Sequence, residues 1–342
     1  MVNAPLPVLP DPAASASWQA CRKAPLTWLF LGYLAVAGAF VALFAEQVDT
    51  AAALLAGFGG CAMLMLTCAV LADRFPRHRW TAGLWIFCPL ALQPYLYTSA
   101  ERYATALRGR YVDADVIAWE TWALGGVPNL ALDRYVTPVL TEVMMASYFS
   151  YYLLVSVPAL WLVARGRIRH AARLMFAQVL AHVLCYPGYL LVPLRGPVHA
   201  LADDFGTPHL SGYLVTRMQT SIMELDPRGT CFPSSHVAMS WAALLTMRRL
   251  VSKRVFRLCL VLVCSLTSSV VYCRYHYLSD VCAGLAVAVV AAFLTRRVEK
   301  EYPHVTRRGA EAVQMVRALA DRCRIRPGAA GRPRHSGPAR PR

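Results

Sequence analysis

Long apolar stretches separated by short arginine-bearing loops dominate the chain from residue 27 to residue 295. A bilayer core about 30 Å thick takes roughly 20 residues of helix to cross. Stretches 27–45, 51–71, 81–98, 139–163, 172–193, 235–250, 255–272 and 278–295 reach or approach that length. The pattern predicts an all-α, polytopic membrane helix bundle of about eight transmembrane helices. The first 24 residues hold no apolar run, so no cleavable signal is expected ahead of the first span.

The loops between these stretches alternate in charge. One set carries Arg74, Arg77 and Arg79, then Arg165, Arg167, Arg169 and Arg173, then Arg248, Arg249, Lys253, Arg254 and Arg257. The other set mixes its arginines with Asp113, Asp115, Glu120, Asp203, Asp204, Glu224 and Asp226. Lys and Arg accumulate on the cytoplasmic face, so both termini are expected inside a plasma (inner) membrane, and an even number of spans agrees. Residues 1–26 then form a cytoplasmic segment and 27–80 carry the first two helices. Residues 99–138 are too polar to span, and Trp119, Trp122 and Leu130 mark them as interfacial, with a break at Gly125-Gly126 and Pro128. Residues 194–234 form a second external loop.

Composition strengthens this picture. Apolar residues make up 57% of the 342 and charged residues 16%, with a mean hydropathy of +0.42, which excludes an ordinary soluble surface. The net charge of +16 is concentrated toward the end, where the tail from Arg296 holds 13 Lys and Arg against 4 Asp and Glu. No base-reading module accompanies it, so nucleic acid is not an expected partner; the tail (297–342) reads as a basic cytoplasmic segment facing an anionic leaflet, disordered over 327–342. The 11 cysteines lack C-x-x-C pairs and metal-ligand spacing, and Cys61, Cys68, Cys88, Cys259 and Cys264 sit inside apolar runs as small hydrophobes.

Chemistry concentrates where three consecutive helices meet the outer side. Arg195 stands in Pro193-Leu194-Arg195-Gly196-Pro197, His236 in Cys231-Phe232-Pro233-Ser234-Ser235-His236, and His276 in Arg274-Tyr275-His276-Tyr277-Leu278-Ser279-Asp280. Each residue type has a task if the ligand is a phosphate ester. Arg195 and Arg274 offer planar forks for phosphate oxygens. Ser234, Ser235 and the helix-start amides add donors. His276 and Asp280, four apart on one helix face, can hold one ring nitrogen protonated and leave the other free to attack phosphorus. His236 can protonate the leaving oxygen.

Pro233-Ser234-Ser235-His236 resembles the Pro-Ser-x-His motif of the type 2 phosphatidic acid phosphatase superfamily. His276-x-x-x-Asp280, followed by Val281, Ala283 and Gly284, resembles its last motif, and Arg195-Gly196-Pro197 its first. The resemblance implies a six-helix phosphatase-like core over 81–296, with His276 as nucleophile, Asp280 orienting it, His236 as acid, and Arg195, Ser235 and Arg274 on the phosphate. It implies no metal and no other cofactor, with a lipid phosphate or phospholipid as substrate. Two positions depart from the family pattern: Gly188 stands where a Lys is usual, and Val270 where an Arg is usual. The stretch from Asp113 to Tyr152, with Asp115 and the Tyr148, Tyr151, Tyr152 cluster, resembles inositolphosphotransferase-like members, which move a phospho-head group to a lipid acceptor.

The leading expectation is therefore a lipid phosphatase or phosphotransferase acting on the external leaflet. A non-catalytic lipid transporter is the competing reading, with His182 in a polar intramembrane pathway. The site also resembles that of vanadium haloperoxidases, against which eight spans argue. If the histidines converge, Cys231 and Cys273 are expected within disulfide reach.

Overall fold

The computed structural model describes residues 24–224, 226–248 and 250–301. The expectations for residues 1–23 and for the basic tail beyond 301, including the disorder of 327–342, lie outside the described residues. The described chain is α-helical without a strand: α1 (Pro25–Leu43), α2 (Ala51–Arg74), α3 (Arg79–Ala104), α4 (Asp113–Leu124), α5 (Pro128–Asp133), α6 (Pro138–Ala164), α7 (Ile168–Leu191), α8 (Pro197–Ala200), α9 (Leu214–Met223), α10 (Ser235–Met247), α11 (Lys253–Tyr272) and α12 (Leu278–Glu301).

Local chemistry sets many of these boundaries. Pro25 and Pro138 open α1 and α6 in the first turn, where a missing N–H costs nothing. Thr137, Ser234 and Ser252 cap α6, α10 and α11 by accepting from the amides of Leu140, Val237 and Val255. Gly125, at φ 76°, ends α4 in the left-handed conformation that glycine adopts without a Cβ clash. Pro89, Pro94, Pro158 and Pro187 lie inside long helices, which neighbouring helices tolerate in a membrane bundle.

Among the described residues, six helices are long and apolar enough to cross a membrane: α1, α2, α6, α7, α11, and α12 over Leu278–Val298. The protein is thus a polytopic helical membrane bundle. The expected spans 81–98 and 235–250 differ from these six. The first is the 26-residue α3, long enough but diluted by Gln93, Thr98, Glu101 and Arg102. The second is only 13 residues, about 20 Å of helix. α10 can be this short because it is wrapped by protein: all but Trp241 and Leu245 are buried, and α7 and α12 flank it.

The basic loops converge at one end of the bundle. Arg79 donates to the carbonyl of Ala164 at 2.9 Å and Arg167 to that of Leu250 at 3.2 Å. The opposite end is closed by the segment expected to be interfacial. Residues 99–104 of that segment belong instead to α3, whose Ser99, Ala100, Tyr103 and Ala104 are still buried in the core. Beyond it, α4 leaves Trp119 and Trp122 exposed. Val116, Ile117 and Leu130 pack on a cluster formed by Val112, Val127, Leu194, Leu201, Phe205, Cys231 and Tyr277.

Candidate active site

His276 lies in the turn between α11 and α12, and its backbone is held from two directions. Its N–H donates to the carbonyl of Val270 at 3.1 Å, and its own carbonyl accepts from Asn129 Nδ2 at 3.1 Å. One helical turn on, Asp280 places Oδ2 3.4 Å from His276 Nδ1. The same oxygen accepts from the Tyr277 amide at 2.9 Å. The start of α12 is pinned from above, where Glu120 Oε1 accepts from the Ser279 amide at 2.7 Å. Burial raises the Glu120 carboxyl above the usual carboxylate value, against the pull of that hydrogen bond.

His236, in the first turn of α10, faces this pair. Its ring centroid is 5.9 Å from that of His276. Its Nε2 is 3.0 Å from the Tyr148 hydroxyl, the Tyr151 ring meets it edge-on at 4.5 Å, and its Nδ1 is buried with no hydrogen-bond partner in the described structure. The two helix starts are clipped together by the Ser234 amide, which donates to the carbonyl of Asp280 at 3.0 Å. Glycine permits the approach: a Cβ on Gly284 would stand 2.6 Å from the Ser234 carbonyl oxygen. Ser234 and Ser235 are both buried beside the histidines. The histidines, Asp280 and the serine pair are thus brought together as their spacing predicts.

The two arginines part company. Arg195 keeps a half-exposed side chain; its amide and that of Gly196 are held by the Asp113 carboxylate at 2.9 and 3.0 Å, and Nε lies 3.9 Å from the same group. Arg274 is not turned toward the histidines. It is buried, paired with Asp133 at 2.5 Å, donating to the carbonyls of Thr207 and Pro208, and stacked 3.7 Å over the Phe205 ring. The expectation of phosphate contact by Arg274 is therefore corrected to an anchoring role. Its backbone sits at φ 64°, a conformation costing a non-glycine residue roughly 1–2 kcal/mol, which these contacts offset. This anchor shapes the turn that presents His276.

The expected pairing of Cys231 with Cys273 is also overturned. Both thiols are free. Cys273 packs with Met145 and Tyr272, whereas Cys231 points into the dyad, with Sγ 2.9 Å from Asp280 Oδ2 and 3.3 Å from His276 Nδ1. Each cysteine precedes one of the histidines in sequence, but only Cys231 reaches the dyad.

Several supporting residues carry no motif. Asn129, Glu120 and Asp133 act through backbone or charge contacts across the fold, and in a segment already rich in charged residues nothing in the sequence singles them out. Asp226 lies in the loop before α10, close enough to interact electrostatically with His276. Burial lifts its carboxyl to about 7, with His276 pulling in the opposite direction. His182 is not part of the centre: it is hydrogen-bonded to Gln93 and Tyr186 at 3.2 Å each and flanked by the Tyr97 ring. Beside the centre, a cavity of about 490 Å³ with mainly apolar walls is lined by Val116, Trp119, Leu191, Phe232, Ser279 and Ala283 among others.

The fold and these contacts define a class: an integral membrane helical bundle with a buried His–His–Asp cluster at one end. A family model described as the PAP2 superfamily matches residues 114–294, just over half of the chain and all of this cluster. The chain belongs to the type 2 phosphatidic acid phosphatase (PAP2) superfamily. That membership points to phosphatase-like chemistry. No curated protein and no solved structure matches the chain.

Proposed function

We propose that this protein cleaves a lipid phosphoester through a phosphohistidine intermediate, on the extracytoplasmic side of a plasma (inner) membrane. The observation that carries the proposal is the 5.9 Å separation of the His236 and His276 rings, with Asp280 behind His276 Nδ1. Asp280 holds the proton on Nδ1, leaving the Nε2 lone pair for phosphorus. The P–O bond to the lipid breaks as the N–P bond forms, and His236 gives its proton to the departing oxygen. His236 acts as the imidazolium, with Nε2 against the Tyr148 hydroxyl and Nδ1 otherwise unpartnered, and is left as the neutral ring once the proton has gone. Arg195, the buried serine pair and the amides at the start of α10 hold the phosphate oxygens.

A lipid substrate is supported by the mainly apolar cavity beside Ser279, whose walls suit hydrocarbon and also include Arg108 and Asp115. The sidedness is supported by the clustering of the basic loops at the other end of the bundle, with both termini cytoplasmic by the same charge rule. Water resolving the phosphohistidine makes the protein a phosphatase; an acceptor alcohol makes it a phosphotransferase. Transfer is favoured by one observation. The region resembling inositolphosphotransferases is built into the site, through Asp113 on the Arg195 loop and Tyr148 on His236.

The test is incubation of purified protein with labelled lipid phosphates and phosphodiesters, beside His236→Ala and His276→Ala. Turnover and an acid-labile phosphoprotein are expected in the native chain, and neither in His276→Ala. Full turnover by His276→Ala would refute the mechanism. Label recovered only as inorganic phosphate rejects transfer, and a labelled second lipid establishes it.

A further inference from the structure

Cys231 brings a third potential metal ligand to the His276–Asp280 pair. Sγ of Cys231, Nδ1 of His276 and Oδ2 of Asp280 are all buried and lie within 4.8 Å of one another. Their separations are 2.9 Å (S to O), 3.3 Å (S to N) and 3.4 Å (N to O). A tetrahedral Zn²⁺ with bonds of about 2.0–2.3 Å needs its ligands about 3.3–3.6 Å apart. Two edges of the triangle match to within about 0.3 Å, and the third opens by a small rotation of the thiol.

One further observation points to a cation here. Asp280 Oδ1 is fully buried with no hydrogen-bond partner in the described structure, so the carboxylate is under-satisfied on the side away from the Tyr277 amide. Donor type narrows the metal: thiol, imidazole and carboxylate together suit zinc, whereas magnesium and calcium take oxygen ligands.

We propose that Cys231, His276 and Asp280 form an inhibitory site for a thiolate-seeking divalent cation, Zn²⁺ above all. The inhibition rests on the phosphohistidine reading; the binding does not. Coordination displaces the Cys231 thiol proton and occupies His276 Nδ1. The neutral imidazole must then carry its proton on Nε2, the nitrogen required as nucleophile. The bound metal thus switches the ring to the wrong tautomer.

The test uses the full-length purified chain, freed of metal by chelation and loaded with one equivalent of Zn²⁺. X-ray absorption at the zinc edge is expected to show one sulfur at about 2.3 Å with nitrogen and oxygen at about 2.0 Å. Co²⁺ in place of zinc should give a thiolate charge-transfer band that is absent in Cys231→Ser. Turnover of lipid phosphate should be blocked by Zn²⁺ and restored by chelator, with at least tenfold more Zn²⁺ needed for Cys231→Ser. A zinc shell without sulfur or with several sulfurs overturns the site, as does equal zinc sensitivity of native and Cys231→Ser protein. The absorption measurement needs neither a variant nor turnover, so an inactive protein with the expected shell refutes the phosphohistidine reading and leaves the metal site standing.

Discussion

Gly188 and Pro233 touch so closely that no side chain fits between them. A Cβ on Gly188 would stand 2.3 Å from Pro233 Cδ and 2.8 Å from the Phe232 carbonyl oxygen. The position at which the superfamily pattern usually carries a Lys is therefore closed here by backbone and ring, and a phosphate-binding charge cannot come from it. Gly188→Ala and Gly188→Lys should each destabilise the protein, the alanine by about 1–3 kcal/mol as an overpacked core does, the lysine by more. Thermal unfolding in detergent checks this, and an unchanged midpoint for Gly188→Lys would refute the packing.

Arg195 and Arg274 should separate cleanly by substitution. Arg274→Gln removes one partner of the buried pair with Asp133, a change that costs about 3–5 kcal/mol in such settings. Its midpoint should fall, and turnover with it. Arg195→Gln alters a half-exposed guanidinium and should leave the midpoint in place. Its KM for a lipid phosphate should rise about tenfold, the scale of one charge-assisted hydrogen bond. A normal midpoint for Arg274→Gln with a raised KM would restore that residue to the phosphate.

Asp226 makes stability pH-dependent in a definite direction. Its carboxyl is raised from an ordinary 3.8 to about 7 by burial, so the folded chain binds a proton that the unfolded chain has released between those values. This contribution is fully present below pH 4 and is lost as pH rises through 7. Unfolding midpoints of the native protein should thus decline between pH 5 and pH 8 more than those of Asp226→Asn. Parallel profiles would count against the buried neutral carboxyl.

Tyr148 should matter to rate more than to binding. Its hydroxyl, 3.0 Å from His236 Nε2, holds the orientation of that ring. Tyr148→Phe keeps the aromatic packing against His236 and Tyr275 and removes this contact together with the hydroxyl's weaker one to Met223 Sδ. With a lipid phosphate substrate, kcat is expected to fall roughly tenfold, less than the ~100-fold or more of losing the acid itself, with KM little changed. Native kcat in Tyr148→Phe would remove the tyrosine from the acid's support.

Much of the molecule was legible before any contact was known. Of the eight expected spans, six correspond among the described residues to helices long and apolar enough to cross a membrane, because lipid demands nearly unbroken hydrophobicity. The exceptions are informative: α10 is short because protein, rather than lipid, surrounds it, and α3 ends in the exposed Glu101 and Arg102. The dyad was equally legible, since a four-residue spacing on a helix brings His276 and Asp280 to one face whatever the rest of the chain does. The motif at His236 sits at a capped helix start for the same local reason.

Other features depended on residues remote in the chain. Arg274 is drawn away from the histidines by Asp133, 141 residues earlier, and by Phe205. Cys231 reaches the dyad instead of Cys273 because the turns before α10 and α12 present their side chains in different directions. Sequence alone determined the helices, the charge asymmetry of the loops and the local pairing of His276 with Asp280, because these follow from composition and periodicity within a few turns. Only tertiary structure decided which arginine stays free, which thiol enters the centre and which carboxylates are buried, because a side chain's direction at a helix end is set by partners that packing, not spacing, brings near.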